Sequence, residues 1–124
     1  MNLLKFSMRM LNMVAVEDVF KMDKKQILGV VIEIFNSMNR RRTTFELSPY
    51  QYEITEYTDT RDLPFDNFDK TMIALNIETE FHIDFSKEEC FDIHYKIYDI
   101  VDLIENKLKE KEDIQNLKNN EYEF

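Results

Sequence analysis

Asp66-Asn67-Phe68-Asp69-Lys70-Thr71-Met72-Ile73-Ala74-Leu75-Asn76-Ile77-Glu78-Thr79-Glu80-Phe81 is the stretch on which the fold turns. Asp66 fits a helix N-cap and Asp69 falls at the third helical position. Both carboxylates can therefore answer backbone N–H donors that have no partner inside the helix. The same charges favour the positive end of the helix dipole. Phe68, Thr71, Met72, Leu75 and Thr79 mark one candidate face, which Ile73, Ala74 and Ile77 broaden. Apolarity that wide predicts a helix buried between neighbours, ending near Glu80–His82.

Upstream, Asp23 and Gln26 form a capping-box pattern, with Met22 and Ile27 placed to staple the helix entrance. Ile27, Val30, Val31, Ile34, Phe35 and Met38 then recur at helical spacing and predict a helix to about residue 39. Arg40-Arg41-Arg42 reads as a basic exit that suits the negative helix end and solvates the following loop. Residues 43–65 hold no helical period; Tyr50–Ile54 alternates briefly, enough for a short extended piece. A connection this long is uncommon without a purpose. Residues 1–22, with Leu4, Met8, Leu11, Met13, Val14 and Val16, form an extension read as either an extra helix or an arm over the core or a partner.

Downstream, Ser86-Lys87-Glu88-Glu89 carries another capping-box signature and predicts a short helix through Phe91. Ile97, Ile100, Val101, Ile104 and Leu108 carry a longer final helix. The helical domain thus spans 23–110, and the polar segment 111–124 is expected to be a frayed tail.

Composition narrows the class. The 124 residues suit one domain, and a single glycine and two prolines argue against a turn-rich sheet sandwich. No run of 18 apolar residues is present, so no membrane span is expected. The front end shows no small-residue cleavage site after an uninterrupted apolar core, and the expected location is the cytoplasm. Cys90 is the only cysteine, which excludes an intrachain disulfide and a thiol metal cluster. Residues 1–42 carry eight Lys/Arg against four Asp/Glu, net +4; residues 43–124 carry eight against twenty-one, net −13. The larger acidic part should repel nucleic acid and attract a basic protein surface.

The order of these signals, long helix, long loop, helix after a D-x-x-D element, short helix, final helix, resembles an acyl or peptidyl carrier protein. Asp66-Asn67-Phe68-Asp69 resembles that family's Asp-Ser-Leu-Asp attachment motif, and Ile73–Phe81 its apolar and acidic second helix. His82-Ile83-Asp84-Phe85-Ser86 is similar to the turn that follows, and Ile97–Ile104 to the opening of the last helix. The likeness covers residues 23–108 and is most specific from Pro64 to Leu108. It implies an all-α, small four-helix bundle with a long loop between the first two main helices and an N-terminal extension.

The resemblance also places the family's phosphopantetheine-bearing serine at Asn67. An amide lacks the hydroxyl that the arm requires, and its nitrogen is no substitute nucleophile. Ser86 has a sufficient role as a cap, Ser48 lies in an unrelated loop, and Thr71, one turn on, is expected to be partly packed. No prosthetic attachment, and hence no cofactor, is expected. The family's acidic second helix steers basic enzymes; here Glu78 and Glu80 remain, while Lys70, Met72, Asn76 and Thr79 dilute that face.

Other chemistry finds little footing. His82 and His94 fit no compact metal motif, and the sequence holds no catalytic set of recognisable spacing. Cys90 and His94 would meet at i,i+4 on a continuous helix, but the resemblance puts a bend near 92–95. The expected function is a non-catalytic, carrier-like interaction protein without a metal site. Its partner is expected to be a protein, such as an enzyme that recognises carriers. Phe68 and Met72 would give apolar contact, and Asp66, Asp69, Glu78 and Glu80 polar orientation. The alternatives are a carrier modified at an unconventional site and a small enzyme using Cys90 and His94.

Overall fold

The computed structural model describes residues 21–85 and 96–121, with side chains to Lys118. They form a small, mostly helical fold with three clear helices and no β-strand among the described residues. The helices are α1 (Lys24–Thr44), α2 (Asn67–Phe81) and α3 (Ile97–Glu121); a single 3-10 turn, Thr60–Asp62, interrupts the long α1–α2 connection. The short helix expected at Ser86–Phe91, residues 1–20 of the 1–22 extension, Cys90 and His94 all lie outside the described residues.

α1 starts as its local chemistry dictates. The Gln26 N–H donates to Asp23 Oδ1 at 2.8 Å, and the Asp23 N–H donates back to Gln26 Oε1 at 2.9 Å. Two of the helix's orphan donors are satisfied reciprocally. Ile27, Val31 and Phe35 are fully buried, and α1 packs against both α2 and α3. Ile73, Ile77 and Phe81 from α2 and Ile97, Val101 and Ile104 from α3 close the same core. Lys24 also reaches Asp102 at 2.7 Å, tying the start of α1 to α3 at the surface.

Two helix lengths depart from expectation. α1 runs to Thr44, so Arg40, Arg41 and Arg42 lie inside its last turns and not beyond them. Its stop is a Schellman turn: the Leu47 N–H bonds the Arg42 carbonyl at 2.9 Å and the Glu46 N–H bonds that of Thr43 at 3.1 Å. Glu46 sits there at φ 59, a left-handed position that glycine usually fills. α3 continues through Glu121, in place of a frayed tail from residue 111. Residues 109–118 are mostly straight-chain and charged. They lack a burial pattern but keep high helix propensity, and Lys109 pairs with Glu105 one turn back at 3.7 Å.

The long connection is a strap, which gives it the purpose its length calls for. Ile54, Leu63 and Phe65 insert into the core, with the Phe65 ring 6.3 Å from that of Phe35. The connection also caps α3: the Ile97 N–H donates to the Thr58 carbonyl at 3.1 Å, and the Tyr98 N–H to that of Glu56 at 2.9 Å. These are first-turn donors that α3 itself cannot pair. Asp59 and Lys96 form an isolated antiparallel bridge at the same place. No strand forms at Tyr50–Ile54. Tyr50 instead pairs through its backbone with the Asn39 side-chain amide, as acceptor at 2.9 Å and donor at 2.7 Å.

Candidate functional site

The start of α2 is built from three parts of the chain. The Asp69 N–H donates to Asp66 Oδ1 at 2.8 Å, and the Asp66 N–H to Asp69 Oδ2 at 3.3 Å, the expected reciprocal cap. Arg42 then joins from the end of α1. Its Nη1 lies 3.1 Å from Asp69 Oδ2 and its Nε donates to the Ser48 carbonyl at 3.0 Å. Both side chains of this ion pair are largely shielded, 13% and 15% exposed, so solvent screens it less than a surface pair. Asp69 is therefore occupied inside the protein, and Asp66 remains the exposed carboxylate of the cap.

With the helix start fixed, the outward residues are determined by the 3.6-residue turn. Ile73, Ala74, Ile77 and Phe81 face the core. Phe68 is 62% exposed and Leu75 50%, on the side opposite them. Thr71 and Thr79 are exposed beside them, and Met72 is half-buried against the core's edge. The face that spacing marks from Phe68 through Thr79 is therefore the outer one, and α2 is not enclosed on all sides. Apolar residues on both sides cancel the periodic signal, which is why spacing alone misassigns them. Leu75 is the exposed apolar residue that sequence reasoning misses, because the breadth of the apolar set places it among residues meant for burial.

Asn67 opens the helix at an exposed position. Its carbonyl accepts the Thr71 hydroxyl at 2.8 Å. Thr71 is exposed and not partly packed, with its hydroxyl hydrogen committed to that backbone bond.

Glu78 and Glu80, two residues apart, fall on opposite flanks of α2. Glu78 acts locally, accepting the Phe85 N–H through its Oε2 at 3.0 Å and so holding the turn after the helix. Glu80 Oε2 is buried with no hydrogen-bond partner among the described residues, and burial pushes the Glu80 carboxyl above its ordinary range. Neither carboxylate lies on the Phe68–Leu75 ridge. His82 occupies the left-handed position after α2, at φ 54. The cation that meets this helix end comes from α3, where Lys111 Nζ donates to the His82 carbonyl.

The other strongly held carboxylate is Asp59, in the strap. Arg61 donates to it from Nη2 at 2.7 Å, Nε at 3.0 Å and its backbone N–H at 2.9 Å, and Lys96 Nζ stands 3.7 Å away. The Arg61 side-chain bonds hold the Asp59 carboxyl well below the usual range, with the backbone bond and Lys96 adding to the effect. Its geometry is that of a fastener between the strap and the start of α3.

Among the described residues no three His, Cys, Asp or Glu side chains converge on a metal-sized space, and no helix is long and apolar enough to cross a membrane. Comparison of the chain with protein-family models, with curated proteins and with solved structures returned no match.

Proposed function

We propose that this chain is a non-catalytic, carrier-protein-like interaction protein that carries no phosphopantetheine arm and binds a protein partner through the outer face of α2. One observation carries the reading. Phe68 and Leu75 stand exposed on one side of a helix whose start is locked by Asp66, Asp69 and Arg42. A large apolar pair on a rigid element loses little conformational freedom on docking, which is the property of an interface anchor. The roles are sharper than composition alone suggests. Phe68 and Leu75 are the contacts, Met72 supports them from the core's edge, and Asp66 gives polar orientation. Asp69 positions the helix start from within, while Glu78 and Glu80 belong to the helix's flanks. Asn67 supplies no hydroxyl at the position where the carrier resemblance calls for one.

The test is affinity capture from the native cell with wild-type chain and with a Phe68→Ala/Leu75→Ala variant, each shown to be folded by circular dichroism. Both residues are exposed, so the variant should keep its helices and lose the captured protein. Equal recovery of the same partner by the folded variant rules out α2's outer face as the binding surface.

A further inference from the structure

A second surface lies away from α2, on the middle of α1 and the strap. An open groove of about 520 Å³ has Leu28 and Ile32 of α1 on one side and the 52–57 segment on the other. Tyr52 and Tyr57, 74% and 71% exposed, rise from it, and each is braced by a second ring. Tyr50 meets Tyr52 edge-on at 5.5 Å, and Tyr98 meets Tyr57 edge-on at 6.2 Å. Rings held this way are pre-set for contact and offer both an apolar face and a hydroxyl.

Two further features select the occupant. The groove residues include two carboxylates, Glu53 and Glu56, and no cation. Neither carboxylate has a hydrogen-bond or ion-pair partner among the described residues, and the whole chain carries a net charge of −9. The backbone of residues 51–54 is the second feature: its N–H and C=O groups pair with nothing among the described residues. Unpaired backbone donors and acceptors beside an apolar wall are what an added extended segment requires.

We infer that this groove binds an extended segment of a protein partner in which cationic and apolar residues alternate. The segment's backbone pairs with residues 51–54, its apolar side chains lie on Leu28 and Ile32, and its cations meet Glu53, Glu56 and the faces of Tyr52 and Tyr57. No α2 residue lines the groove, so this surface stands or falls independently of the α2 face.

The probe is a fluorescein-labelled peptide of alternating Arg and Val, titrated against the full chain by anisotropy and followed by methyl NMR. Shifts concentrated on Leu28, Ile32 and Ile54 are expected. Glu53→Lys/Glu56→Lys and, separately, Tyr52→Ala/Tyr57→Ala should each weaken binding by about tenfold or more, as loss of an interface anchor does. Phe68→Ala should leave it unchanged. Shifts spread over the acidic surface, or equal affinity in the folded variants, overturn the inference. So does an α1 groove already filled, whether by another copy of the chain or by residues 1–20, as read from sedimentation and from methyl contacts before peptide is added.

Discussion

The two sides of α2 carry the same kind of residue and have opposite fates. Ile73, Ile77 and Phe81 are almost fully buried, whereas Phe68 and Leu75, of equal hydrophobicity, stand in solvent. The buried set is held by neighbours, since α1 packs over it and the strap's Leu63 and Phe65 join the same core. The exposed set is held by the helix alone, which is fixed at its first turn by the Asp66–Asp69 cap and by Arg42. Hydrophobicity alone therefore does not distinguish scaffold from surface here; what does is which side of α2 meets α1 and the strap, an arrangement that the Arg42–Asp69 pair joins at the helix start.

Removing one ring from each side puts this contrast under the greatest strain. Phe81→Ala should cost about 4 kcal/mol in urea unfolding, through lost burial and the cavity left behind. Phe68→Ala should change stability by less than about 0.5 kcal/mol, as an exposed substitution does. Similar costs at the two positions would mean that the faces are not distinct. Next in size is the junction itself. Asp69→Ala should cost about 2 kcal/mol, because it removes a cap acceptor and leaves the shielded Arg42 cation without its carboxylate.

A smaller effect, of opposite sign, is expected in α1. Gly29 lies within the helix at an exposed position, and nothing would stand within 4 Å of an added Cβ. Gly29→Ala should raise stability by about 0.5–1 kcal/mol, mainly by reducing the freedom of the unfolded chain. The smallest effect concerns Glu80 on the flank of α2. Burial raises its folded pKa above the ordinary 4.5, so between those values the folded state holds more protons than the unfolded one. Stability then falls as pH rises through that window and stays lowered above it. Glu80→Gln should accordingly raise the urea midpoint at neutral pH, with the gain shrinking to nothing well below pH 4.5.

What can be read from the sequence follows the range of the interactions. The caps at Asp23–Gln26 and Asp66–Asp69 are legible because each is a three-residue spacing, and the end of α2 near Phe81 because the apolar run stops there. The core faces of α1 and α3 are legible from Ile27 to Met38 and from Ile97 to Leu108, where the buried residues recur at helical spacing. The outward turn of Phe68 and Leu75 is not, because both sides of α2 are apolar and the contacts that orient it, Arg42 with Asp69 among them, span long stretches of chain. Nor is the strap's role, since the contacts of Asn39 with Tyr50 and of Ile97 with Thr58 join segments that share no local pattern. The length of α3 escapes for the opposite reason: residues 109–118 have high helix propensity and the Lys109–Glu105 pair, but no burial period to reveal them.

Intact mass after incubation with a phosphopantetheinyl transferase and coenzyme A, on wild-type chain and Asn67→Ser side by side, probes the carrier-like reading at its root. No change is expected for the wild type. A gain of one phosphopantetheine group is expected for Asn67→Ser, whose new hydroxyl would stand at the exposed start of α2. A gain on the wild-type chain would contradict the loss of attachment, and no gain on a folded Asn67→Ser chain would contradict the carrier-like frame.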